Sequence, residues 1–121
     1  HVGKPIYHSD VFMYVGTEMI GICIDVINEE YKEMVLEKVS RFHDVMIINE
    51  QQILNFCGNS LEARNRQNEK FIIMSTKAFS SLSPIQIETL EKYFKKIIYS
   101  DLSSIEKYGG GSARCMLSEL F

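Results

Sequence analysis

Apolar residues alternate with short polar breaks along this chain in a way that predicts strands first and helices second. "DVFMYVG" and "EMIGICIDVI" are β-rich runs, and Gly16-Thr17 between them predicts a hairpin turn. Asn28 stands where a helix N-cap belongs, with Glu29 and Glu30 supplying the favourable charge for a first turn. Tyr31, Met34, Val35, Val39 and Phe42 then recur at helical spacing, predicting a helix with one apolar face. "DVMIIN", residues 44–49, returns as a buried strand, and "EQQILNF" reads as a short helix ending at Gly58.

The order then repeats. "SLEARN" predicts a strand, "RQNEK" a polar turn and "FIIMS" a buried strand. Ser83-Pro84-Ile85-Gln86 is a capping box with proline at the first helical position, and Ile87, Leu90 and Phe94 share one face of the helix it opens. "KIIYS" is a further strand, "LSSIEKY" a short helix or turn running into glycine, and "ARCMLSELF" is expected to close the chain as a strand. The pattern is strand, strand, helix, strand, written twice, each copy about 45–50 residues long. The expected architecture is α/β, with two ββαβ modules at about 8–58 and 59–121.

Composition changes this picture little. The chain has 121 residues, 45% hydrophobic and 24% charged, with a net charge of −3, which argues against a polyanion-binding surface. No apolar run reaches the roughly 20 residues of a membrane helix. No nucleic-acid or membrane partner is therefore expected. Cys23, Cys57 and Cys115 are odd in number and widely spaced, which fits neither a disulfide framework nor a zinc site and suggests a reducing, cytoplasmic setting. The first residue is His1, and "HVGKPIY" reads as a chain already under way, so a piece of something longer is the expectation.

The candidate chemistry lies in three stretches. Read alone, Cys115 in "GGGSARCML" is either a buried packing residue or a nucleophile presented by the glycine loop. His8 in "YHSDVFM" is either a strand-end histidine or an acid and base, and Asp10 either a turn residue or a ligand contact. In "FCGNSLEARN", Gly58 and Asn59 form a turn, and Glu62 and Arg64 share one strand face that is either solvated or the lining of a polar channel. Cys23, Cys57 and the six methionines read as core or loop residues.

Together these three stretches resemble the C-terminal part of the guanidine-modifying enzymes, a superfamily of arginine deiminases, dimethylarginine hydrolases and glycine amidinotransferases. The likeness is greatest to the amidinotransferase-related, citrulline-linked hydrolases, and it covers essentially the whole chain. The resemblance implies a five-bladed α/β propeller, or pentein, of which the two modules are the last two blades. It implies that Cys115 is the nucleophile, that His8 is the general acid and base, and that Asp10 and Asn59 meet the substrate. Gly109, Gly110 and Gly111 turn the chain into the centre. Asp10 matches the deiminases; the citrulline-linked branch more often carries asparagine there. The implied activity is a cysteine-dependent hydrolase or amidinotransferase acting on a guanidino or ureido small molecule through a covalent thiouronium, with no metal and no cofactor. The alternatives are an inactive binding or structural module of the same fold and, setting the resemblance aside, a small metabolite-binding regulatory domain. Two modules of such a ring are expected to self-associate or to pack on further modules.

Overall fold

The structure is a computed structural model that describes residues 11–109 and 111–116. Two three-stranded sheets form, and they are built alike. In the first, β1 (Met13–Val15) and β2 (Met19–Ile22) make an antiparallel hairpin, helix α1 (Glu29–Ser40) crosses over, and β3 (Asp44–Ile47) joins β2 in parallel. In the second, β4 (Leu61–Arg64) pairs antiparallel with β5 (Lys70–Ser75), helices α3 (Thr76–Ser80) and α4 (Pro84–Tyr93) follow, and β6 (Lys96–Ser100) joins β5 in parallel. Short helix α2 (Glu50–Leu54) and a 3₁₀ turn at Cys57–Asn59 connect the two sheets. Helices α5 (Ser103–Gly109) and α6 (Ala113–Met116) follow the second sheet. The order strand, strand, helix, strand is therefore found twice, as the sequence pattern predicts.

One apolar core serves both sheets. Tyr14, Met19 and Met46 from the first lie in the same buried cluster as Ile72, Met74, Leu90 and Phe94 from the second, with Ile53 and Cys57 of the connection between them. The hairpin is held at its tip by the Gly16 N–H donating to the Met19 carbonyl, and Tyr14 pairs with Gly21, where any side chain would strike the tyrosine ring. The tip also reaches the second sheet: Glu62 accepts from the N–H and the hydroxyl of Thr17, and Arg64 donates to the same hydroxyl. Glu62 and Arg64 thus join the two sheets.

Four expectations are corrected. The run Ile24–Val26 is a 3₁₀ turn rather than the end of β2, because Cys23, at 0% exposure, already fills the core beside it. Helix α1 buries no residue: Tyr31, Met34 and Phe42 are exposed, so Met34 is not a core methionine. Helix α2 stops at Leu54, before Gly58, and the left-handed residue that turns the chain is Phe56, with φ of 67°. Residues 113–116 are helical, not strand; Ser112 is anchored there by hydrogen bonds that a strand continuing the second sheet would not need. Helix α3 was not expected; Ser75 caps it by accepting from the Ala78 N–H. Among the described residues no helix is long and apolar enough to cross a membrane.

Candidate active site

The turn Cys57–Asn59 is the meeting point of the three chemistry-bearing stretches. It follows α2, whose N-terminus is closed by a reciprocal capping box between Asn49 and Gln52. Ser60 at its end is 1% exposed and donates its hydroxyl to the Cys57 carbonyl. At Gly58 a Cβ atom would lie 2.2 Å from the carbonyl oxygen of Val11, so only glycine lets the two backbones touch. Val11 stands three residues after His8 and one after Asp10. On the other side, the Asn59 side-chain oxygen accepts the Ser112 N–H at 2.9 Å, across 53 residues of sequence. Ser112 stands three residues before Cys115.

Helix α6, which carries Cys115, packs against β5 and against the Cys57–Asn59 turn. Its approach is buried: Ser112 is 0% and Ala113 2% exposed. Ser112 is tied a second time, through its hydroxyl, to a carboxyl oxygen of Glu106 on α5 at 2.6 Å. Of the glycine run, Gly109 ends α5 and Gly111 precedes α6. His8, Asp10 and Gly110 lie outside the described residues. Beside Ala113, at the carboxyl ends of β5 and β6, is an apolar cleft of about 140 Å³ lined by Met74, Tyr99 and Leu102.

The two other cysteines are unsuited to nucleophilic work at neutral pH. Cys57 is 2% exposed, and burial pushes its thiol up to about 11, although its hydrogen bond with the Ser81 hydroxyl acts in the opposite direction. Burial likewise raises the Cys23 thiol, against the lowering effect of hydrogen bonds from the Asp25 and Val26 backbone. Both are core residues, as the sequence suggests.

Two residues of this region carry no special signal in the sequence. Ser112 is one small polar residue in a glycine-rich loop, and Glu106 lies in a polar helix where carboxylates ordinarily face solvent. Only their burial distinguishes them.

Comparison with known proteins supplies three findings. A family model described as N,N dimethylarginine dimethylhydrolase, eukaryotic, matches residues 1–121. A solved structure, the apo form of ArgZ, an arginine dihydrolase from the ornithine-ammonia cycle in cyanobacteria, superposes with a TM-score of 0.69 at 20% identity. The superposition covers 91% of this chain but 15% of that one, so this chain spans a small part of that protein's length. No curated protein matches the sequence.

Proposed function

Because the chain belongs to the eukaryotic N,N dimethylarginine dimethylhydrolase family, we infer that it contributes the C-terminal catalytic part of a cysteine-dependent hydrolase acting on the guanidino group of an arginine derivative. In this reading its two ββαβ units are the last two blades of a five-bladed α/β propeller. Cys115 is the nucleophile, His8 the general acid and base, and Asp10 and Asn59 face the substrate.

The observation that carries this reading is the meeting of the three motifs at one turn. Val11 from the His8 stretch abuts Gly58, and Ser112 from the Cys115 stretch is bonded to Asn59. Residues at opposite ends of the chain thereby approach neighbouring positions of one turn, Gly58 and Asn59, as a composite site requires. The burial and raised thiols of Cys57 and Cys23 fit core positions, which supports Cys115 among this chain's three cysteines as the nucleophile.

The chemistry follows from the substrate. A guanidinium carbon is a weak electrophile because its charge is spread over three nitrogens, so a thiolate is the nucleophile the task demands. The Cys115 sulfur adds to that carbon. Protonated His8 delivers its proton to the departing amine, the C–N bond breaks, and a thiouronium remains on sulfur. Neutral His8 then takes a proton from water, hydroxide adds to the same carbon, and the C–S bond breaks to regenerate the thiolate and release a ureido product, the proton of the added hydroxyl passing to the released amine or to water. Asp10 holds the cation through charge-assisted hydrogen bonds. All groups that change bonding belong to the protein, the substrate or water.

The test is turnover by the full-length protein. With arginine and N,N-dimethylarginine as substrates, Cys115→Ala and His8→Ala are each expected to lower kcat by at least about 10³-fold. The wild-type protein quenched during turnover should carry on Cys115 the added mass of a thiouronium. Activity retained in Cys115→Ala, or an adduct on Cys23 or Cys57, rules the assignment out.

A further inference from the structure

Glu106 is a carboxylic residue at 6% exposure, and the arrangement around it is uneven. One of its oxygens accepts the Ser112 hydroxyl at 2.6 Å, a length usual for a hydroxyl donating to a carboxylate. Its other oxygen is buried and has no hydrogen-bond partner among the described residues. A buried acceptor left without a donor is destabilising, and a residue retained at that cost needs a reason other than packing. The position of Ser112 supplies one. Glu106 and Ser112 stand on either side of Gly109–Gly111 in the sequence, and their bond ties α5 to the residue that precedes α6. Glycine restricts its own backbone less than any other residue, so a run of three does little by itself to fix the residue that follows. Ser112, fixed through its hydroxyl to Glu106 and through its N–H to Asn59, is held by two hydrogen bonds where α6 begins, beside the packing of α6 on β5 and on the Cys57–Asn59 turn.

We propose that Glu106 is a positioning residue for the reaction of Cys115, acting through Ser112, which it clamps against the Asn59 turn. The proposal rests on the reading of Cys115 as nucleophile given above. It assigns Glu106 no contact with substrate. The carboxyl oxygen holds the serine hydroxyl, the serine N–H holds the asparagine, and the first turn of α6 starts from a fixed point. A nucleophile displaced by about 1 Å can lose on the order of 10²-fold in rate, so the clamp should be felt in turnover rather than in binding.

The test uses the full-length protein, with kcat and KM for a guanidino substrate and the melting temperature measured on every variant. Ser112→Ala and Glu106→Ala are each expected to lower kcat by roughly 10- to 100-fold while KM moves less than about threefold. Because the two residues act as one unit, the double variant should lose no more than about the larger single loss. Glu106→Gln keeps an acceptor for the hydroxyl and should recover most of the rate lost in Glu106→Ala, an effect that general weakening of the fold does not produce. The proposal is overturned if folded Ser112→Ala turns over at the wild-type rate, if the loss falls on KM alone, or if Glu106→Gln is as impaired as Glu106→Ala. Should Glu106→Ala not fold, Ser112→Ala and Glu106→Gln decide the matter. Cys115→Ala, run alongside, separates the two readings. If it is active, the nucleophile assignment fails and takes the clamp with it. If it is inactive while Ser112→Ala is unimpaired, the clamp alone fails.

Discussion

The Cys57 thiol, pushed up to about 11 from 9.0 by burial, sits between the Ala78 carbonyl, to which it donates, and the Ser81 hydroxyl. Its high value is also a statement about stability. Below pH 9 the folded and unfolded chains both keep this proton, and the contribution is fully present. From about 9 to about 11 the unfolded chain releases the proton and the folded chain holds it, so stability falls as pH rises through that window. The loss amounts to about 2–3 kcal/mol over the whole window. On going from about pH 8 to about pH 10.5, the melting temperature of the wild-type protein should therefore drop further than that of Cys57→Ala. Cys57→Ala starts lower because of the cavity it opens, so the drop and not the level is compared. Burial raises the Tyr14 phenol in both proteins; the smaller part of that rise that comes from Cys57 is absent from Cys57→Ala and enlarges the difference in the same direction. Equal drops would remove Cys57 as the source.

Between elements, the structure relies on an exchange of glutamines. Gln52 and Gln86 each complete a capping box, one at α2 and one at α4, by accepting from the backbone N–H of their own N-cap, Asn49 and Ser83. The same two side chains then bond to each other in both directions, at 2.6 and 3.2 Å. Their remaining N–H groups go to the carbonyls of Ser81 and Ile47. Two helix starts from different halves of the chain are so locked together, with Gln52 at 5% exposure. Gln52→Ala leaves the Asn49 N–H and part of the Gln86 amide without partners, and should destabilise the protein by about 1–3 kcal/mol. Gln86→Ala should cost about as much. A double-mutant cycle by denaturant unfolding should return a coupling of at least about 0.5 kcal/mol. Additive losses would show that the two boxes act separately.

At the scale of the whole chain, both sheets end in strands with a neighbour on one side only among the described residues: β1 and β3 in the first, β4 and β6 in the second. Tyr31, Met34 and Phe42 lie open on or just after α1, Ile47 on β3, and Ile98 and Tyr99 on β6. Open edges beside exposed apolar side chains favour association. The isolated 121-residue chain is expected to sediment as a dimer or larger at micromolar concentration, and to show no turnover of arginine or N,N-dimethylarginine. The second half rests on the proposed function, in which this chain supplies only the last two of five blades around the site. A monomer with full turnover would contradict both halves.

Much of the secondary structure was legible in the residues, because it is decided locally. The hairpin around Gly16-Thr17, the Ser83–Gln86 box and the alternation of strands with a crossover helix need only period, turn chemistry and capping, all of which act within a few residues. The family was legible as well, since its motifs are short and ordered. What the sequence alone misjudged was settled by partners far along the chain. The start of α6 depends on a bond from Ser112 to Asn59, 53 residues away, and local propensity in "ARCM" does not contain it. The apolar face of α1 looked like core because periodicity reports that a face is apolar, not that anything covers it. Glu62 and Arg64 looked undecided between solvent and channel, and their engagement with Thr17 became visible only when the two sheets met. Glu106 is the furthest case: in the sequence it is an ordinary helix carboxylate, and only the fold, by burying it against Ser112, makes it part of the candidate site.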